Sequence, residues 1–561
     1  MSQYRPVLYG RHHAVSSGHA LATHAAAEVL RDGGNAIDAG VAAGIALGVL
    51  ESELVSIAGV APIILYSAEH DHVISISGVG PWPALTDLAV FSRDHGGQIP
   101  AGILRTVVPA APDAWITALD RYGTMNFDQV AQFAIDYAEN GFHMYPLMAE
   151  VIGKNRQNFE RFADNADIYL PGGEVPKVGE LFFQKDLGRS LRFMADEARA
   201  GAKRGGRRAG LAAARDAFYR GDLARVILDH NKAEGGWLRA DDLAGFRVDI
   251  EEPLRIEFGG AQVFGCGAWC QGLMLLEALK IVERADLTAL GHNSADYLHL
   301  LAEATKLAAA DRETFVGDPR HVDVPVARLL SDAYAAERLA CVDMAHASPS
   351  MPDPGDIPDA EPPVEGQMDT SYVCVADSRG NVFSATPSDS SYNLPVVPGL
   401  GFVVSGRGSQ SWVDVTHASS VAPGKRPRLT PNPALAMTAD RIIPFGSPGG
   451  DVQTQAMMQV LLNHLVFGMD VQTAVDAPRL ASYSFPSSFA PHQIEPGVLR
   501  VEARIPEETR FDLAARGHVV VDWPDSTWLA GSVSMISADR GPGTTRRAAA
   551  DHRRATYAQA W

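Results

Sequence analysis

Residues 347–376 read ASPSMPDPGDIPDAEPPVEGQMD and then TSYVCVA, so a proline- and acid-rich run ends at Asp369 and a strand pattern opens at Thr370. The first part holds too little apolar side chain to bury and too many prolines to pair in a sheet. It is therefore expected to be exposed, irregular backbone that a cleavage reaction can reach. The second part is rich in β-branched and aromatic residues. Asp377-Ser-Arg-Gly-Asn381 supplies a turn and Val382-Phe-Ser-Ala-Thr386 a second strand. Together they predict a hairpin whose first strand begins at a threonine, directly after a cuttable segment.

A threonine in that place has a chemical use. An internal threonine hydroxyl is a weak nucleophile. Cutting the bond before it creates an α-amino group beside the hydroxyl, with a pKa of about 7.7–8.0. Such an amine takes the hydroxyl proton and returns it to a leaving amine. The pair is a known substitute for a Ser-His-Asp triad. Threonine is also common in strands for ordinary structural reasons, so the feature needs company. Gly446-Ser-Pro-Gly-Gly450 provides it, lying between the apolar run 442–445 and a helical pattern over 452–467. Adjacent glycines at a strand-to-helix turn let backbone N–H groups face a site unobstructed, as an oxyanion hole requires.

Outward from these two pieces, the chain is patterned throughout. Residues 19–30 form an alanine-rich helical stretch closed by Arg31-Asp32-Gly33-Gly34, and Asn35 is placed to cap a second helix over 36–50. Strand-type runs follow at 61–66 and 72–77, helical patterns at 110–160, and amphipathic helices at 271–284 and 294–311. The basic, Gly/Ala-rich stretch RAGAKRGGRRAGLAAAR at 199–215 is expected to be a solvated insertion or loop, with a binding patch as the alternative.

The 561 residues are 46% hydrophobic and 20% charged, which suits a large globular core. A net charge of −19 argues against nucleic acid or an anionic membrane as partner. No apolar run approaches the roughly 20 residues of a membrane span. The N-terminal MSQYRPVLYGRHHAVSSG lacks an apolar signal region, and four cysteines do not make a disulfide framework, so a cytoplasmic location is expected. Cys266 and Cys270 are read as structural thiols, with pocket lining or metal binding as alternatives. No second ligand pair with zinc spacing follows them. No metal and no cofactor is expected.

These motifs resemble one family. Asp369-Thr370-Ser371-Tyr372 with VCVADSRGN is similar to the processing site and nucleophile strand of the γ-glutamyltransferases, and Gly446-Ser-Pro-Gly-Gly450 to their oxyanion loop. Asp32-Gly-Gly-Asn-Ala-Ile-Asp-Ala39, Pro423-Gly-Lys-Arg-Pro427, AVDAPRL (474–480) and AADHRRATY (549–557) resemble further signatures, in family order. The resemblance implies an α+β fold, the four-layer αββα sandwich of the N-terminal-nucleophile (Ntn) hydrolases. It implies self-cleavage between Asp369 and Thr370, giving interwoven large (1–369) and small (370–561) subunits. It implies Thr370 as a nucleophile forming an acyl-enzyme, Gly449 and Gly450 as oxyanion donors, and Ser388 as support for the nucleophile's amine. Ser390 stands where the transferases often carry asparagine.

The glutamyl-recognition elements of the family are altered. Ser77 stands where a carboxylate-binding arginine is expected, Leu429-Thr430 replaces a serine pair, and the stretch Ser405-Gly-Arg-Gly-Ser-Gln-Ser-Trp412 offers no acid for an amino group. A carboxylate without its bidentate partner loses energy and orientation. The expectation is therefore an amidohydrolase of the acylase-like branch, acting on a small amide or N-acyl substrate. The alternatives are an authentic γ-glutamyltransferase or glutathione hydrolase, and a biosynthetic member cutting an unusual bond. Arg407 is the candidate anchor for an anionic acyl group, or else a loop contact. Thr430 is a candidate substrate contact, Trp412 a candidate pocket wall, and Gln453, with Gln455, points at the site or starts its helix. Pairing of processed heterodimers into a larger homo-oligomer is left open.

Overall fold

The computed structural model describes residues 3–353, 369–541 and 544–561. Most of the predicted processing segment, residues 354–368, lies outside the described residues.

Two seven-stranded sheets form the centre. One runs, edge to edge, Tyr557–Ala560, Ala14–Ser17, Val373–Ala376, Val382–Ala385, Ile63–Ser67, His72–Ile76 and Ile250–Glu251. The other runs Leu8–Gly10, Arg546–Ala550, Ser534–Asp539, Arg441–Gly446, Ala434–Met437, Ala261–Gly265 and Leu254–Phe258. Pairing within both sheets is antiparallel. The predicted hairpin is at the middle of the first sheet, with Val373 opposite Ala385 and Ala376 opposite Val382. Its period-2 pattern sorts the side chains. Tyr372, Cys374 and Ala376 face the second sheet in a shared core with Leu435, Ile442 and Ile536. Val373 and Val375 face the helices.

Helices close both outer faces, so the layers run helix, sheet, sheet, helix. Ala20–Arg31 and Ala36–Leu50 cover the first sheet, and the second of these begins at the Asn35 capping box with Asp38. All fifteen residues of Ala36–Leu50 are buried, which explains its Ala/Gly/Val composition. At Gly40 an added Cβ would lie 2.1 Å from the Phe383 ring, so only glycine lets helix and sheet approach this closely. Gly272–Val282, Ala295–Phe315 and Val452–Leu465 cover the second sheet. Residues before and after position 369 supply strands to both sheets, so a cut there leaves two pieces woven through each other.

The 199–215 stretch differs from the loop expected of it. It belongs to the helical segment Lys185–Tyr219, broken only at Gly205 and Gly206. The two halves fold back on each other, with Gly201 and Gly210 at their close approach. Four of its six basic residues are paired with neighbouring elements. Arg199 pairs with Asp128 at 3.3 Å, Arg208 with Asp120 at 3.4 Å, and buried Arg215 with Asp113 at 2.5 Å. Arg207 donates to the Leu119 carbonyl at 3.0 Å. No helix among the described residues is long and apolar enough to cross a membrane.

Candidate active site

Thr370 is not the first residue of its strand, which begins at Val373. The ladder does continue outward, since the Ser371 N–H donates to the Pro387 carbonyl at 3.0 Å. At Thr370 the extended path breaks, because its φ is +94°. That region is costly for a β-branched residue, on the order of 1–3 kcal/mol, and persists only where surroundings impose it. Here the Thr370 N–H donates to the Leu54 carbonyl at 3.3 Å and its own carbonyl accepts from Arg554 Nη1 at 3.0 Å.

The Thr370 side chain is fully buried and sits in a compact polar group. Its Oγ1 lies 2.7 Å from Ser388 Oγ and donates to Asp369 Oδ1 at 3.0 Å. Arg407 Nη2 donates to Asp369 Oδ2 at 2.7 Å and also to Ser388 Oγ. Arg407 Nε lies 3.2 Å from Asp389 Oδ1. Asp389 in turn accepts from Ser405 Oγ at 2.8 Å and from the Gly406 N–H at 3.1 Å, which fixes the loop that carries Arg407. Burial pushes the Asp389 carboxyl up to about 6, against the pull of Arg407 and with Asp369 adding to the rise. Asp389 also has a positive φ, +113°. Two strained non-glycine residues thus flank one cluster of hydroxyls and charges.

Gly449 and Gly450 have φ of +124° and +54°, both in the region that favours glycine. Among the described residues neither N–H has an acceptor. Gln271 braces this turn, its Nε2 donating to the carbonyls of Thr430 (2.8 Å) and Gly450 (3.0 Å). Gly449 lines a cleft of about 580 Å³ together with Tyr392, Asn393, Phe485, Phe489 and Trp528. The Phe489 ring lies 5.6 Å from the Arg407 guanidinium carbon, which ties the cleft to the Thr370 cluster.

The other predicted contacts are distributed unevenly. Thr430 is buried and engaged with Gln410, which donates to its Oγ1 at 2.7 Å. Ser390 turns to the Tyr392 hydroxyl. Gln453 Oε1 accepts from the Asn432 N–H at 3.2 Å, while its Nε2 is buried without a partner among the described residues. Gln455 lines the cleft but is engaged by the Ser482 backbone. Trp412 is stacked between His492 (3.8 Å) and His417 (4.3 Å) and stands apart from the residues lining the cleft.

Sequence reasoning missed four members. Asp389 comes from the loop after the hairpin, and it brings an acid to the 405–412 stretch that has none of its own. Arg554 lies within the AADHRRATY signature, whose pattern assigns it no role. Gln271 directly follows Cys270 at the start of a helix, where nothing in the local pattern marks it. Glu51, close to Ser371, is buried, and burial raises its carboxyl against the pull of the Ser371 hydroxyl and of Arg554.

Cys266 and Cys270 are buried, and Cys270 Sγ donates to the Pro431 carbonyl at 3.1 Å. Burial pushes the Cys266 thiol well up, which suits an inert core thiol rather than a ligand. Among the described residues, His299, Glu303 and His518 are close enough together to share an ion, but Lys306 Nζ already lies 2.5 Å from Glu303.

Two facing antiparallel sheets between helix layers, with a buried cluster of hydroxyls and charges beside the central hairpin, have the architecture of the Ntn hydrolases. Within it, the gamma-glutamyltranspeptidase family model matches residues 22–561, and the chain belongs to that family. It is 34% identical over 537 residues to the acylase ACY 1 proenzyme of Pseudomonas sp. (strain SE83), covering 93% of this chain and 89% of that one. It is 30% identical over 563 residues to the glutathione hydrolase proenzyme of Bacillus subtilis (strain 168), covering 97% and 90%. The cephalosporin acylase structure from Bacillus halodurans superposes with a TM-score of 0.87 at 29% identity, covering 100% of this chain and 98% of that one. The chain is an enzyme of this amide-hydrolysing family.

Proposed function

We infer that the chain is a self-processing amidohydrolase that cuts a small amide or N-acyl substrate through an acyl-enzyme on Thr370. The observation that carries this is the Thr370 hydroxyl, 2.7 Å from Ser388 Oγ and hydrogen-bonded to the residue whose peptide bond is to be cut. Arg407 donates to Ser388 Oγ, so the Ser388 proton is shared between Asp369 Oδ1 at 3.4 Å and Thr370 Oγ1 at 2.7 Å, and supports the nucleophile when it turns to the latter.

Cleavage after Asp369 yields a large piece (1–369), a small piece (370–561) and a free α-amine on Thr370. That amine then serves as the base for Oγ1. The unpaired N–H groups of Gly449 and Gly450 receive the developing oxyanion. The acylase relatives support hydrolysis of an acyl amide, and the altered glutamyl-recognition positions point the same way. Authentic γ-glutamyl hydrolysis or transfer is the second reading, favoured by the relation to the Bacillus subtilis glutathione hydrolase proenzyme.

The first test is an intact mass under denaturing conditions. Pieces of roughly 40 and 20 kDa, the smaller beginning at Thr370, are expected from the 60.0 kDa chain. Thr370→Ala is expected to remain whole and inactive. Normal turnover by uncut Thr370→Ala protein would refute the mechanism. A γ-glutamyl anilide turned over as fast as the best acyl amide would favour the second reading.

A further inference from the structure

The uncut chain already holds an acyl group at the nucleophile, and it is its own. Asp369 is joined through its carbonyl to the Thr370 nitrogen, so that carbonyl lies beside Oγ1 by covalent geometry alone. Its side-chain carboxylate is 3% exposed at the level of the residue and is gripped from two sides. Arg407 Nη2 donates to Oδ2 at 2.7 Å, and Thr370 Oγ1 donates to Oδ1 at 3.0 Å. From the reacting carbonyl carbon to the carboxylate carbon, Asp369 spans four carbons, the skeleton of a succinyl group bearing an amino substituent.

We propose that the acyl half of the substrate is a four-carbon dicarboxylic half-amide, a succinyl or aspartyl-type group, whose distal carboxylate takes the place of the Asp369 side chain on Arg407. This rests on the acyl-enzyme reading given above and adds the length and charge of the acyl group.

Three features fit Arg407 for that task. Its side chain is 1% exposed, so a bound carboxylate meets a desolvated guanidinium. Its Nε lies 3.2 Å from Asp389 Oδ1, an ion pair that leaves the Nη2 edge to the acyl carboxylate. Its Nη1 is buried with no hydrogen-bond partner among the described residues, a spare donor for a second bond to the incoming group.

The reach is short. Arg407 Nη2 bonds Ser388 Oγ, and Ser388 Oγ lies 2.7 Å from Thr370 Oγ1, so anchor and nucleophile are two contacts apart. A five- or six-carbon diacid must buckle to place its carbonyl at Oγ1 while its carboxylate stays on Arg407. A two- or three-carbon diacid falls short of one end. A neutral acyl group leaves the buried guanidinium edge unpaired once Asp369 has gone.

The reaction balances without a further reactant. Thr370 Oγ1 bonds to the acyl carbon as the amide C–N bond breaks, and the Oγ1 proton passes through the α-amine to the leaving amine. Water then attacks the ester, the C–Oγ1 bond breaks, Oγ1 regains a proton, and the free diacid departs.

The test is a chain-length series on the processed wild-type protein: oxalyl, malonyl, succinyl, glutaryl and adipyl p-nitroanilides, with the butyryl anilide as the uncharged four-carbon control. Succinyl is expected to be fastest in kcat/KM, with glutaryl at least about 10-fold and butyryl at least about 100-fold slower. Free succinate is expected to inhibit competitively. An optimum at another length, or butyryl within about threefold of succinyl, overturns this proposal while leaving the acyl-enzyme reading intact. Hydrolysis of none of the anilides by correctly cut protein overturns both. In Arg407→Lys, which retains a cation, both substrates are expected to slow through the lost contact to Ser388, and the succinyl-to-butyryl ratio in kcat/KM is expected to shrink; an unchanged ratio removes Arg407 from acyl recognition.

Discussion

Gln271 tests whether the glycine turn is set by its own backbone or held by a neighbour. Its amide donates to the Thr430 carbonyl at 2.8 Å and to the Gly450 carbonyl at 3.0 Å, and its oxygen accepts from Arg312 Nη1 at 3.4 Å. The whole side chain is buried. Gln271→Met keeps length and volume and removes both donors. Two hydrogen bonds worth about 1 kcal/mol each disappear, and two buried carbonyls are left short of a partner, so the local loss is about 2–4 kcal/mol. The Gly450 carbonyl and its N–H belong to adjoining peptide planes. A turn released at the carbonyl therefore tilts the N–H proposed to meet the oxyanion. Loss of one such donor outright costs about 100- to 1,000-fold in kcat, and partial misplacement is expected to cost about 10- to 100-fold. KM should stay within about threefold, because the ground-state carbonyl carries little of the charge these donors serve. The assay is kcat and KM on processed protein with the best amide of the series, beside a thermal melt. Gln271→Glu, which keeps an oxygen for Arg312 but offers no N–H, should fall in kcat as Met does. A lowered melting temperature with kcat within twofold of wild type would refute the reasoning and leave Gln271 a packing residue.

Three further outcomes are expected. Asp369→Asn should slow self-cleavage about 100-fold, because the Asp369 carboxylate accepts the Thr370 proton before any α-amine exists; time courses by denaturing gel check it, and once cut the protein should turn over normally. In the uncut Thr370→Ala protein, Asp389 is held up to about 6 against an ordinary 3.8, so its contribution to stability is lost as pH rises from about 4 to about 6, by up to about 3 kcal/mol; urea melts at pH 4.5 and 7 should show a smaller difference in the Thr370→Ala, Asp389→Asn protein. Gly201→Val should destabilise by a few kcal/mol, since a Cβ there meets the Ala209 carbonyl at 2.7 Å, and should leave kcat unchanged in whatever folds.

How much of this was legible in the sequence depends on whether the information is local. The hairpin, the glycine turn and the capped helix at Asn35 are fixed by residues next to one another in the chain, and the structure has all three, with the hairpin's first strand opening at Val373 rather than at Thr370. The 199–215 stretch misled because two adjacent glycines and a dense positive charge look like solvated loop. The glycines serve instead to reverse a helix upon itself, and three of the six cations are met by Asp113, Asp120 and Asp128 from elements some 70 to 100 residues away in the chain. The same limit explains the site. Thr370 and the paired glycines stand out as candidates because the chemistry proposed for them needs a particular residue in a particular turn. Asp389, Arg554 and Gln271 do not, because each acts across space on a backbone or side-chain group supplied by another segment. Arg407 lies between these cases. Its charge was apparent, but what it is for became arguable only when the fold set it against Asp369, a residue 38 positions earlier that the uncut chain presents as though it were substrate.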